Sequence, residues 1–502
     1  MASFQVEGDL SSVDLELFVR EIPKTDLHVH LDGSLRPATL AELAAALGVA
    51  LPQGGAPVRP HYADLREYLQ VFHYTVEVLQ RGGAAALERV AFELGEDSFD
   101  EGVRHLEVRF SPQMFATLAP DGTNNIQDVL EAVDKGLRRA KQQFEEAEGP
   151  DGYGYQYGII SCAMRGHVQE WAPYFREFWK QHEARPPREI YALLAVDVAE
   201  ATAAAAAAGR CQAVGLDLAC TERGFPAKIY APAFALARRS LLLGATVHAG
   251  EDYGPESVWG ALADCGAERI GHGFNLFDPS ACDGTVADPE GLCARLADFI
   301  AHRRIHIEVC LTSNEQTMRK LRGNLDAHSF KTMMERDISC SLCTDNRLVS
   351  NTTTSREIIR AIQTFGLTQE QLRKVVIEGF EHAFFPGTYL EKKRFLTRVN
   401  LHFSLVEDKF FHPQNTDTST THNIHYNKST TSPETLHEDC ESSGSLVAAA
   451  QMSKNNNDAA AALADTKYRP NCVVNNRAPA DDATPSVFMM VKEKGKEKNV
   501  PA

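Results

Sequence analysis

Eight strand-like segments, each followed by a helix-like one, constrain this chain more than any other feature of it. The first lies in the stretch Lys24 to Ser34, a short strand ending in a Gly-containing turn. The others are expected at 103–110, 157–162, 213–218, 245–248, 269–272, 305–310 and 338–343. Helical patterns separate them, including 36–48, 64–80 and the Ala-rich 198–208. Parallel strands need long crossovers, and helices supply them. Eight such alternations over roughly 380 residues predict an α/β fold, a (β/α)8 TIM-type barrel. The long interval after the first strand leaves room for extra helices.

The barrel is expected to span 21–405, after a short helical lead-in at 1–20. From 406 to 502 the chain is rich in Thr, Ser, Asn, Lys and Asp and shows no sustained apolar period, so a disordered tail is expected. Within it, Val487-Phe488-Met489-Met490-Val491 followed by a Lys-rich run is a candidate docking peptide for an unknown protein. The plainer reading is a solvated tail with one sticky spot.

The formal net charge of −17 argues against nucleic acid and anionic membranes as partners, because an acidic surface repels phosphates. No basic start followed by an apolar run marks a secretory signal. No uncharged apolar stretch reads as long enough to span a bilayer. Cysteines such as Cys162 and Cys310 lie in apolar runs, as suits buried reduced thiols in a cytoplasmic protein. Cys340 and Cys343 form a C-x-x-C, but i and i+3 of a strand face opposite ways, so both are read as packing residues.

In such barrels functional groups gather at the carboxyl ends of the strands. His28 and His30 share one strand face, with their bases roughly 6–7 Å apart, and Asp32 carries that face into the turn. The fifth strand ends His248-Ala249-Gly250-Glu251, the sixth Gly271-His272-Gly273, and the eighth Thr344-Asp345-Asn346. His28, His30, His248 and Asp345 together suit one zinc ion, which takes nitrogen and oxygen ligands. Zinc can bring the pKa of a bound water towards neutrality. Glu251 is placed to donate a proton to a substrate nitrogen, provided its pKa is raised. His272, between two glycines, could orient the water or take its proton. Each histidine alone reads equally well as a packed, hydrogen-bonded residue. Four such residues at predicted strand ends do not.

These segments resemble the adenosine deaminase family. The resemblance rests on His28-Val29-His30-Leu31-Asp32-Gly33-Ser34, His248-Ala249-Gly250-Glu251, Arg269-Ile270-Gly271-His272-Gly273, Cys310-Leu311-Thr312-Ser313-Asn314 and Leu342-Cys343-Thr344-Asp345. It covers about residues 20 to 400 and implies a zinc-bearing barrel that hydrolyses adenosine and 2′-deoxyadenosine to the inosines plus ammonia. By that resemblance His28, His30, His248 and Asp345 bind zinc, His30 lies at the substrate as well, and Glu251 protonates the purine N1. His272 and Asp345 hold and activate the attacking water, and Asp32 accepts from the ribose 5′-hydroxyl. The stripe Leu65, Tyr68, Leu69 and Phe72 matches the family's lid helix. Cys220 stands where members commonly have a Gly whose backbone meets the purine. Asn346 stands where many have Asp, and its amide is expected to donate to N7, which only accepts.

Three rivals frame that reading. A base deaminase of another fold would pair H-x-E with P-C-x-x-C. His306-Ile307-Glu308 supplies the first half, but the second is missing from the sequence. A related barrel deaminase would act on adenine, a nucleotide or an N6-substituted analogue. A non-catalytic binding protein on the same scaffold would have no need of Glu251.

Overall fold

The computed structural model describes residues 10–412, apart from 53–54, 56–57, 119–121, 150–151, 153 and 167–168. All eight expected strands form: β1 Lys24–His30, β2 Val103–Phe110, β3 Gln156–Met164, β4 Ala213–Ala219, β5 Gly244–Ala249, β6 Arg269–His272, β7 His306–Val309 and β8 Cys340–Leu342. They lie parallel in the order 1 to 8. A bridge between Val29 and Asp345 brings the end of the last strand back to the first. His30 N donates to Asp345 O at 2.7 Å, and Asp345 N donates to His28 O at 2.8 Å. Those two bonds close the barrel at the place where three of the expected metal ligands sit.

Strand burial is almost complete, as expected when helices cover a parallel sheet. The strands are not uniformly apolar, however. Glu107, Arg109, Asp217, Arg269 and Glu308 are all buried within them. Outside, Ala- and Leu-rich helices bury their stripes on the sheet. The helix Pro187–Ala207 is long and apolar enough, by length and composition, to cross a membrane. It meets that test despite the expectation of no such stretch, because its charges are few. It packs on β3 and on the helices Ile126–Glu148 and Ala231–Leu241, burying Ile190, Leu194, Val198 and Ala199. Its Asp197 accepts from Gln113 Nε2 at 2.9 Å and Tyr174 OH at 2.5 Å.

The expected helix 36–48 forms as Pro37–Leu47, stopped by Gly48 at φ +67°. The expected helix 64–80 is instead two. A short one, Leu65–Leu69, is capped by the Asp64 side chain, and a second begins at Phe72. Between them the backbone tightens to i→i−3 bonds, Val71 N to Tyr68 O and His73 N to Gln70 O. No Gly or Pro marks that break. Gly83, at φ +57° and ψ −148°, kinks the second helix later.

The last helix, Tyr389–Phe411, runs six residues past the boundary expected at 405. Val406 is buried, and Phe410 and Phe411 each meet Phe18 edge-on, with ring centroids 5.4 and 5.2 Å away. Lys409 also pairs with Glu21 at 2.6 Å. Ending the chain at 405 is therefore expected to destabilise it by several kcal/mol, since a buried Val and two aromatic contacts go. Ending it after 412 keeps that helix whole. Thermal melts of the two truncations check the difference; equal melting temperatures reject it. The rest of the expected tail, from 413, and its docking peptide lie outside the described residues.

Candidate active site

β1 delivers His28 and His30, β5 delivers His248, and the turn after β8 delivers Asp345. Their ligand atoms lie within 4.8 Å of one another. His30 Nε2 is 3.2 Å from His248 Nε2 and 3.4 Å from Asp345 Oδ1, and His28 Nε2 is 3.6 Å from the same oxygen. Gly271 makes room for this. A Cβ there would sit 3.0 Å from His28 Cε1 and 3.3 Å from His248 Cα.

The far side of each ring decides which proton it carries. His28 Nδ1 donates to Glu308 Oε2 at 2.8 Å, and His248 Nδ1 donates to Asp217 Oδ2 at 2.9 Å. Both Nε2 atoms are then bare lone pairs, that of His28 facing the Asp345 carboxylate and that of His248 facing His30 Nε2. His28 Nε2 is buried without a partner among the described residues. Burial and then the Arg109 guanidinium hold the His28 pKa well below its ordinary value, so protonation does not relieve the crowd of acceptors. A cation does. The donor set, three imidazoles and one carboxylate, is one zinc accepts.

Glu308 and Asp217 are themselves held. Arg109 reaches Glu308 Oε2 at 2.8 Å and Asp217 Oδ2 at 3.3 Å, and Arg269 Nε reaches Glu308 Oε1 at 2.8 Å. Against burial, which would raise it, His248 and Arg109 keep Asp217 well below the usual carboxylate range. Arg109 and Arg269 do the same for Glu308. A buried charge is tolerable only in such company. These partners fix ring orientation and raise ligand basicity.

Glu251 sits in the turn after β5. Its carboxyl Oε2 is 3.5 Å from His272 Nε2. Burial, then the charges of Asp345 and Glu222, push its pKa well above the usual carboxylate range, the direction that favours a proton donor. Glu222 also grips the turn itself. It accepts from Gly250 N at 2.8 Å, Glu251 N at 2.7 Å and Asp252 N at 3.1 Å. His272, at φ +66°, closes the same wall, its ring centroid 4.9 Å from that of His28.

Asp32 is buried, and its Oδ1 has no partner among the described residues. Burial pushes its pKa up to about 7. An acceptor left bare at the mouth suits a hydroxyl donor. Cys220, just past β4, takes φ +77°, a conformation that Gly adopts without strain. Cys220→Gly is expected to stabilise the fold by about 1 kcal/mol, the left-handed cost less the extra chain entropy of Gly. A melting temperature that falls instead would reject this.

Asn346 ties its amide to the lid. Nδ2 donates to Tyr68 OH at 2.8 Å, and Tyr68 OH meets Ser350 Oγ at 2.8 Å. Asn346 Oδ1 lies where a Cβ on residue 33 would be, 1.9 Å away, so only Gly fits at Gly33. One of the two amide N–H groups is therefore engaged by the lid, and the other remains for an acceptor such as a purine N7. Leu65 and Tyr68, with Leu69 and Phe72, pack against Val349 beyond β8. The four expected lid residues thus gather over the strand end that carries Asp345.

Asp217, Glu308, Arg109 and Glu222 were not expected in the site from the sequence. The first three carried a signal: a charge inside an otherwise apolar strand of a parallel barrel has only the interior to point into. Glu308 belongs to the H-x-E that fits no base deaminase; it orients His28 instead.

Comparison with known proteins agrees with this geometry. The family model described as adenosine deaminase matches residues 23–186 and 188–401. An adenosine deaminase of Shigella flexneri is 35% identical over 382 residues, covering 75% of this chain and 96% of its own length. Adenosine deaminase 1 of Streptomyces coelicolor is 32% identical over 381 residues, covering 73% and 84%. Among solved structures, an amidohydrolase from Burkholderia ambifaria with bound Zn shares the fold at TM-score 0.62 and 19% identity, over 80% of this chain and 98% of that one. The N6-mAMP deaminase of Arabidopsis shares it at TM-score 0.56 and 22% identity, over 77% and 99%. With the family model covering most of its length, and relatives of this identity spanning nearly all of theirs, the chain belongs to the adenosine deaminase family and is a hydrolase of the deaminase kind.

Proposed function

We propose that this protein hydrolyses adenosine and 2′-deoxyadenosine to inosine and 2′-deoxyinosine with release of ammonia, using one zinc ion per chain, in purine metabolism. One observation carries the reading. Bare imidazole nitrogens of β1 and β5, the Asp345 carboxylate and the Glu251 carboxyl, its pKa raised by burial, converge at one end of the barrel. Zinc held by His28, His30, His248 and Asp345 would make water nucleophilic near neutral pH.

The chain's own residues do the rest. Glu251 gives its proton to purine N1 as water adds to C6, which makes C6 electrophilic when it is attacked. One water proton passes through Asp345 to the departing amine, and C6–N6 breaks as ammonia leaves. The remaining hydroxyl proton restores Glu251, and N1 keeps the proton it received. Asp32 accepts from the ribose 5′-hydroxyl, supported by its bare buried oxygen. The packed lid of Leu65, Tyr68, Leu69 and Phe72 excludes water from the reacting face.

The test is a spectrophotometric panel of adenosine, 2′-deoxyadenosine, adenine, AMP and N6-methyl-AMP, with metal analysis of protein purified without added zinc. Absorbance loss fastest with the two nucleosides and about one zinc per chain is expected. Preference for adenine or a nucleotide would overturn the substrate assignment. No turnover of any of them by zinc-loaded protein would favour a binding protein.

A further inference from the structure

One backbone N–H, remote from the reaction, decides which nitrogen of His272 carries its proton. The amide of Phe330 can only donate, and it lies 3.0 Å from His328 Nδ1. That nitrogen is therefore an unprotonated acceptor, and the ring proton is on Nε2. His328 Nε2 lies 3.1 Å from the Asn314 side chain. The atom it meets must accept, so it is the amide oxygen. The amide NH2 is then turned to His272 Nδ1, 3.1 Å away. A donor facing Nδ1 leaves that nitrogen bare. It also excludes an imidazolium, whose Nδ1–H would point at the NH2. His272 therefore carries its one proton on Nε2, the nitrogen that faces Glu251 and the reaction centre. His328 and Asn314 are both buried. Burial and Lys320 also lower the His328 pKa to about 3, in keeping with a neutral ring.

We propose that Asn314 and His328 are positioning residues for His272, holding it as its Nε2–H tautomer, the form that can donate a hydrogen bond to the attacking oxygen. This rests on the deaminase reading above. A donor held at the oxygen stabilises charge as it develops there and needs no reorganisation. The device is directional: each link has one donor and one acceptor, and reversing any link reverses all that follow.

The holoenzyme, labelled with 15N in its histidine rings, gives the direct readout. The His272 signals are assigned by their loss in His272→Gln. Nδ1 should resonate as a bare nitrogen and Nε2 as a protonated one. Asn314→Asp puts a carboxylate, which only accepts, between the two rings and should move the His272 proton to Nδ1. With zinc content and KM for adenosine near the unaltered values, its kcat should fall on the order of 10²-fold, the scale of losing one donor at a reacting oxygen. His328→Leu should also lower kcat, and His328→Gln should recover most of it, because the glutamine amide donates from the place of ring Nε2. A protonated Nδ1 in the unaltered protein would overturn the proposal. So would a tautomer reversed by Asn314→Asp with undiminished kcat. If either variant fails to fold, the spectrum of the unaltered holoenzyme still decides the tautomer. A holoenzyme that deaminates no purine would sink the functional reading and the donor role, while the ring spectrum would still report on the relay.

Discussion

Glu251→Gln is expected to give a folded, zinc-loaded protein whose turnover of adenosine is lower by on the order of 100-fold or more, the usual scale for a general acid. The geometry separates the proton from everything else about this side chain. The turn that carries it is held through backbone N–H groups by Glu222, and Asn275 Nδ2 donates to Glu251 O at 2.9 Å. None of those bonds uses the Glu251 carboxyl, so the amide should sit where the acid did. Burial, beside the charges of Asp345 and Glu222, raises the pKa of the native carboxyl. Removing a proton donor of that kind leaves N1 unassisted when C6 is attacked. Glutamine keeps the size and can still donate a hydrogen bond, but it cannot give the proton away. The kcat for adenosine, measured beside a circular dichroism spectrum and zinc content, checks this. Near-normal turnover would remove Glu251 from its role.

What the sequence made legible follows from how locally each feature is encoded. The eight strands were legible because each is a short apolar run set off by helical pattern, and all eight form. His28, His30, His248 and Asp345 were legible because strand ends in a barrel share one face, and the structure brings these four together. The split of the lid helix from the next was not, because Tyr68 through His73 contain no Gly or Pro and the apolar spacing runs straight through. The helix end at Phe411 was missed because Val406, Phe410 and Phe411 have their partner, Phe18, near the other end of the chain. The tie of Asn346 to Tyr68 was not legible either, because it spans 278 residues. Glu222 was passed over for the same reason. Its three contacts are to backbone on another strand's turn, and nothing in its own neighbourhood announces them.

Removing one metal ligand should have a larger effect than any change behind it, and the pair His248→Ala and Asp217→Asn measures the difference. His248 supplies a bare Nε2 to the cluster, 3.2 Å from His30 Nε2. Without it the cluster loses one of its four donors, and the alanine leaves a gap beside the two imidazoles and the carboxylate that remain, so the ion is held far more weakly. Zinc content should fall well below one equivalent and turnover with it, and added zinc should not restore either. Asp217 touches no substrate in this scheme. It receives the His248 Nδ1 proton at 2.9 Å while paired with Arg109 at 3.3 Å. Asparagine in its place would keep the shape and an oxygen for that proton but lose the charge that makes the ring a stronger donor to the metal. The expected loss is roughly 10–100-fold in zinc affinity, the usual effect of a partner behind a ligand. Excess zinc should therefore recover most of the turnover of Asp217→Asn and none of that of His248→Ala. Titrating zinc into both apo variants and reading bound metal and kcat together separates them. Full metal and full activity in His248→Ala would show that the cluster is not the metal site.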